Sequence, residues 1–353
     1  MKKTGWDGNH QRFAGPAKSL RFNKPRRRFR FPFWLLIAVL IGGFFWLVPP
    51  LQPEPGVAIL LTGGTLPYTP FPTLTPLPRP TREHGGRIVY TCTRSEVHQL
   101  CAVNADGSDP ARLTSQNAHD YYPVFSPQGD SLVFASNRNG SFDLYLLIMA
   151  ENTLVQLTNQ IGNVYSPDFS PDSQTIVFAN QAADGPSSLW TVNRNGDDPR
   201  LLYTGANPIV GAAWSPQGDS IAYAMSIANS FEYEIFLLNA YSPSQPPRRI
   251  SQGISGLTGS LDWSPDGKYL LVCAGPINGK DVYTLNVETG EIVQLTDSGN
   301  NAAASYSPDG VWIAFNRMQP DGQTDLFIMR ADGTDIRQLT DDPEPDWQPQ
   351  WWP

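Results

Sequence analysis

Six prolines recur along the chain at nearly one interval: Pro127, Pro171, Pro216, Pro265, Pro308 and Pro353, separated by 44, 45, 49, 43 and 45 residues. The first five lie in Ser-Pro-Gln/Asp-Gly/Ser turns. A repeat of that length describes units that cannot bury a core singly and must stack on their neighbours. Each period contains short strand-like runs and turn signals but no helical periodicity. The units therefore read as four-stranded propeller blades.

Two residues before each Pro stands a large aromatic: Phe125, Phe169, Trp214, Trp263, Tyr306 and Trp351. One such residue per period at one place predicts a core layer on the innermost strand. The turn after it has a physical basis, because Pro presets φ at the second position, Asp or Gln fits the third, and Gly takes a positive φ at the fourth. Gly129, Gly218, Gly267 and Gly310 fill that place, with Ser173 the exception. A second strand follows (Leu132-Val133-Phe134, Ile313-Ala314-Phe315), too apolar to be a sheet edge. A third begins at Asp143-Leu144-Tyr145, Glu234-Ile235-Phe236, Asp281-Val282-Tyr283 and Asp325-Leu326-Phe327, and a fourth ends in Gln156-Leu157-Thr158, Gln294-Leu295-Thr296 or Gln338-Leu339-Thr340.

Gly85 to Tyr90 aligns with Gly129 to Phe134, so the pattern begins in the middle of a blade. Trp347 to Pro353 aligns with Tyr121 to Pro127 and supplies the missing inner strand. The expectation is an all-β, six-bladed propeller in which the C-terminal strand pairs with three N-terminal ones, leaving no open sheet edge at the seam. The motif set (aromatic-Ser-Pro-Asp-Gly, Ile-Ala-Phe, Asp-Leu-Phe, Ala-Asp-Gly, Gln-Leu-Thr) resembles that of the TolB-like propellers over residues 85–353. The resemblance implies the fold; one fold hosts many functions. That family carries a separate α/β domain ahead of its propeller, whereas residues 1–84 here show a different pattern.

Ten of the 25 Lys and Arg residues, and one of the 33 acids, fall in the first thirty positions. Directly after them an apolar run from Phe33 to Val48 carries no charge, and none appears until Glu54. Spanning a bilayer takes roughly 20 residues, so residues 31–52 are read as one transmembrane signal anchor. The basic flank predicts a cytoplasmic N-terminus and an extracytoplasmic propeller. A cleaved signal peptide is the rival, but no small-x-small site follows the run. Residues 53–84, with Pro70, Pro72, Pro76, Pro78 and Pro80, read as a stiff linker. The expected organisation is thus a basic tail at 1–30, the anchor at 31–52, the linker at 53–84 and the propeller at 85–353, in the cell membrane.

Beyond residue 30 there remain 15 cations against 32 acids. Nucleic acid is excluded as a partner of the outer part, which lacks the cationic footprint that phosphates need. Cationic partners fit it better, although an acidic surface also serves solubility alone.

Cys92 and Cys101 fall on successive strands of the seam blade. A disulfide between them suits an oxidising compartment, while Cys101 also fits as a small core residue; Cys273 reads as a buried thiol. The four His residues, at 10, 84, 98 and 119, accompany no Gly-x-Ser-x-Gly elbow. Cys and His spacings match no closed zinc site. The acids that open the third strand, Asp143, Glu234, Asp281 and Asp325, recur once per blade on separated radii, so they are expected to satisfy local donors rather than converge on an ion. The expectation is a binding or scaffolding module with no metal and no cofactor, its partner a protein outside the cytoplasm. A glycan or small-ligand receptor is the alternative, and a hydrolase a more distant one.

Candidate contact residues are those that break the repeat on the innermost strand: Asp120, Tyr121, Tyr122, Tyr165, Asp346, Trp347 and Trp352. Aromatics beside carboxylates suit sugars or cationic peptides, and packing between blades is the competing use of each. The long connections from Met225 to Glu232 and from Tyr241 to Arg249 form a second candidate surface.

Overall fold

A computed structural model describes residues 86–183, 185–227 and 232–353. The basic tail, the predicted anchor and the linker lie outside the described residues. Among the described residues no helix is long and apolar enough to cross a membrane. The described chain forms twenty-four strands in six antiparallel four-stranded sheets, a six-bladed propeller.

Numbered in chain order, the first strands of five blades are β4 (Asp120–Phe125), β8 (Asn163–Phe169), β12 (Ile209–Trp214), β16 (Leu261–Trp263) and β20 (Asn300–Tyr306). The sixth blade has the order β24-β1-β2-β3, with β24 at Asp346–Trp352, β1 at Arg87–Arg94, β2 at Val97–Asn104 and β3 at Ala111–Arg112. The chain's last strand and its first described strand are thus neighbours, with Arg87 opposite Trp352 and Cys92 opposite Asp346. Contacts between innermost strands run from β24 through β4, β8, β12, β16 and β20 back to β24.

The repeated turns do what their residues dictate. In each, the Ser carbonyl accepts the N–H three residues on: Ser126 from Gly129 at 2.7 Å, Ser307 from Gly310 at 2.8 Å, and Ser170 from Ser173 at 2.8 Å. The last residue of the turn is left-handed throughout, and Ser173 takes φ 61° where the others place Gly. The aromatic layer packs as predicted and also fastens blades together. The indole N–H of Trp263 donates to the Ala213 carbonyl and that of Trp351 to the Ser305 carbonyl, each at 3.1 Å and each in the preceding blade. Trp352 stacks on Phe125 at 4.3 Å between ring centres, joining β24 to the next blade.

The acids that open the third strand hold the fourth in place. Asp143 accepts from the Thr158 hydroxyl and Asp281 from the Thr296 hydroxyl, both at 2.8 Å, and those Thr oxygens accept the N–H groups of Leu144 and Val282. Asp325 accepts from the Gln338 amide at 3.1 Å, and Glu234 pairs with Arg249 at 2.6 Å. The Gln-Leu-Thr ending is therefore a side-chain clasp between strands three and four.

Cys92 on β1 and Cys101 on β2 are joined by a disulfide with a Cα–Cα distance of 5.8 Å and a sequence separation of 9. So short a loop limits its entropic worth to about 2–3 kcal/mol. The two strands also hold a full backbone register from Arg87↔Asn104 to Arg94↔Val97. Reduction, or the double variant Cys92→Ala/Cys101→Ala, is expected to lower the unfolding free energy by about 2–3 kcal/mol while leaving the fold intact. Urea titrations with and without reductant check this; loss of a cooperative transition on reduction would contradict it.

Candidate binding site at the channel mouth

All six innermost strands and the loops above them enclose one cavity of about 270 Å³ on the propeller axis. Its wall is shaped by a feature of the inner strands that recurs like the turns. Between Tyr121↔Ala135 and Val124↔Val133 the inner strand of one blade advances three residues against two on its partner. The same single extra residue occurs in β8, β20 and β24, and one lies slightly earlier in β12. These are β-bulges. At each of four of them the residue five before the Pro adopts a left-handed φ: Tyr122 at 55°, Ser166 at 49°, Ala303 at 49° and Gln348 at 53°. Non-glycine residues in this region carry roughly 1–2 kcal/mol of strain each. Gln348 ties two bulges together, since its Oε1 accepts the Tyr122 N–H at 3.0 Å and the Thr91 hydroxyl at 3.1 Å.

The bulge divides the predicted contact residues. Tyr122 and Trp347 line the cavity. Tyr121 lies beside it in an aromatic cluster, with its ring centre 5.2 Å from His98, 5.7 Å from Phe142 and 6.2 Å from Tyr122. Trp347 reaches the same cluster at 6.3 Å from His98 and donates its indole N–H to Thr93 at 3.4 Å. Burial, and then the neighbouring His119, push the His98 pKa down to about 4, and burial also lowers that of His119.

The remaining four residues are placed elsewhere. Asp120 is 1% exposed and pairs with Arg138 at 3.1 Å. Asp346 is fully buried with Arg94 3.7 Å away. Tyr165 donates its hydroxyl to the Ile209 carbonyl at 2.6 Å, in the next blade. Trp352 is in the seam stack described above and bonds the Gly129 carbonyl at 3.2 Å. These four are blade fasteners. The connection from Tyr241 to Arg249 begins beside Gly218 of a Ser-Pro turn, on the face opposite the mouth. Residues 228–231 of the other long connection lie outside the described residues.

Sequence reasoning missed the two acids of the wall, Asp168 and Asp262, which stand three residues before their Pro. The other blades have Val124, Ala213, Ser305 and Gln350 there, so the acids were a visible break in the repeat. Each carboxylate reaches across to the next blade. Asp168 accepts the Trp214 N–H and Asp262 the Tyr306 N–H, both at 2.6 Å. Both line the cavity and are half-buried.

Burial is the main cause that pushes both carboxyls up to about 7; for Asp168 the charge of Asp262 adds to the rise, and the Trp214 N–H opposes it. A carboxyl with a pKa above its ordinary 3.8 holds its proton better folded than unfolded. Stability therefore falls as pH rises from about 4 to about 7, and the full cost stands above that. Asp168→Asn keeps an oxygen for the Trp214 N–H. It is expected to raise stability by about 1–3 kcal/mol at pH 8 and to change little at pH 4. Urea midpoints at the two pH values check this, and an equal gain at both would exclude the charge as its cause.

Among the described residues of the wall the one cation is tied elsewhere. Lys280 Nζ donates to the carbonyls of Gly256 at 2.7 Å and Gly275 at 2.8 Å, and burial lowers its pKa. Among the described residues no group of three or more His, Cys, Asp or Glu is placed to hold a metal ion.

Residues 71–188, 118–231 and 187–353 match the family model described as the TolB beta propeller domain. An uncharacterised protein of Agrobacterium fabrum is 31% identical over 164 residues, 46% of this chain and 54% of that protein. The Tol-Pal system protein TolB of Anaeromyxobacter dehalogenans is 35% identical over 89 residues, 25% of this chain and 20% of its own. The chain thus spans about half the length of the first relative and a fifth of the second. Among solved structures, TolB from Acinetobacter baumannii has a TM-score of 0.68 at 20% identity, covering 78% of this chain and 68% of that one, a likeness of fold.

Proposed function

Since the chain belongs to the TolB β-propeller domain family, we propose that it is a binding module of the cell envelope that holds a protein partner at the mouth of its channel. The observation that carries this reading is the convergence of six inner strands on one cavity with two aromatic residues, Tyr122 and Trp347, in its wall. A rigid scaffold that presents loops and a pocket at one end is built to bind. In this reading residues 31–52 anchor the chain, residues 1–30 stay in the cytoplasm, and residues 53–84 space the propeller from the bilayer on its outer side. A glycan is the second reading, favoured by the planar amide of Gln348 beside Trp347 in the same wall.

The test uses the full chain in the cells that make it. A photocrosslinking residue in place of Trp347 is compared with one in place of Ile336, which is exposed before an outermost strand. One defined protein adduct from the Trp347 position and none from Ile336 is the expected result. Adducts only from Ile336 would move the contact to the rim, and none from either would favour the glycan.

A further inference from the structure

Asp168 and Asp262 stand on blades separated by one other, yet each contributes to the same cavity wall. Among the described residues neither carboxylate is in an ion pair with Lys or Arg. Their hydrogen bonds are to backbone N–H groups and neutral side chains, so that when ionised neither has a counter-charge bonded to it. Two buried hydroxyls in the same wall are also unused: Thr258 and Thr324 are 8% and 1% exposed, and neither Oγ1 has a hydrogen-bond partner. Buried polar atoms in native proteins are nearly always paired. A cavity with two carboxylates in its wall and no Lys or Arg bonded to them suits a donor-rich cation.

We infer that the channel receives the side chain of a Lys or Arg from the partner, its cationic head between Asp168 and Asp262 and its aliphatic stem against Trp347 and Tyr122. This rests on the protein-binding reading above and names the chemistry of the contact. A guanidinium is the better fit, because it offers five donors in a planar fork and stacks on aromatic faces. The volume of about 270 Å³ suits a long side chain rather than a single ion. The aromatic pair gives the stem an apolar surface that an inorganic cation would not use. Lys280 does not fill the role, since Gly256 and Gly275 hold its ammonium. The surplus of acids over bases in residues 31–353 draws such a partner in at long range.

The experiment titrates the full-length chain in detergent with two peptides, Gly-Ser-Gly-Arg-Gly-Ser and the same peptide with neutral citrulline for Arg, followed by ligand-observed NMR. The Arg peptide is expected to bind at least tenfold more tightly. Asp168→Asn/Asp262→Asn is expected to erase the preference, and Asp309→Asn, in a Ser-Pro turn on the opposite face, to keep it. Both variants are first checked for an intact thermal transition; if the double variant lacks one, the single Asp262→Asn takes its place and must lower the preference at least threefold. Equal binding of the two peptides, binding of neither, or a preference that survives in the channel variant would each overturn the inference. Loss of the preference in calcium chloride but not in sodium chloride of equal ionic strength would assign the carboxylates to an inorganic cation and overturn it too. Crosslinking from the Trp347 position does not depend on the charge of the ligand, so the protein-binding reading stands or falls separately.

Discussion

Deleting residues 346–353 is expected to abolish the folded ring. The truncation removes β24 and with it Trp351 and Trp352, which are 4% and 5% exposed in the intact chain. Each buried Trp removes about 150–250 Å² from water. At about 25 cal/mol per Å² the pair contributes about 8–12 kcal/mol, as much as the whole net stability of an ordinary domain. The loss also strips β1 of a neighbour, exposing a strand edge that invites association. The truncated protein should be insoluble or show no cooperative melt by circular dichroism. Trp352→Ala alone should lower stability by about 3–5 kcal/mol but still melt cooperatively. A sharp transition in the truncated chain would show that the six sheets do not depend on this strand.

The second large effect comes from the smallest change. A Cβ on Gly211 would lie 1.9 Å from the Gly259 carbonyl oxygen, and one on Gly259 would lie 2.5 Å from Val210. At this place β12 meets the segment leading into β16 with backbone against backbone. Gly→Ala ordinarily stabilises a chain by about 0.4–1 kcal/mol where the backbone conformation is compatible. Here it must push two blades apart, so Gly211→Ala is expected to cost about 3 kcal/mol or more. Gly279→Ala, whose nearest neighbour would be Pro276 at 3.3 Å, is the control and should change stability by less than about 0.5 kcal/mol. Matching denaturation midpoints for the two would refute the close-approach argument.

The repeat made the architecture legible because each element of a blade carries its own chemistry. Pro and Gly mark the inner turn, an aromatic marks the wedge before it, and Asp with Gln-Leu-Thr marks the outer strands. The seam was readable for the same reason, as Trp347 to Pro353 is an inner strand in every position. The site was half legible. Simple alternation places residues three, five and seven before the Pro on one face. That rule puts Asp120 and Asp346 in the channel. The bulge inserts one residue between them and the turn and reverses the face, so these acids point into ion pairs and Trp347, six before the Pro, points to the cavity. Residues nearer the turn keep the simple rule, and there Asp168 and Asp262 were open to inspection. They escaped notice because aromatic departures such as Tyr121 and Tyr165 stand out more than an acid at a position that varies freely between Val, Ala, Ser and Gln. Bulges themselves leave little trace in sequence; a Pro four before the repeated Pro, as at Pro123, Pro167 and Pro349, is the nearest signal, since Pro donates no N–H to a ladder.

Gly86 sits at the end of β1 that faces Trp352, beside the Ser-Pro turns and away from the channel mouth. Tension applied at Gly86 along the axis of β1 loads that strand lengthwise. That strand is flanked on one side by β24 through five registered pairs and on the other by β2 through eight. Pulled in this direction, the two ladders are loaded in shear and must give way together, whereas a strand lifted from the side unzips one bond at a time. Were residues 31–52 to anchor the chain as proposed, the load would enter the propeller through a strand held on both sides, at the end away from the channel mouth.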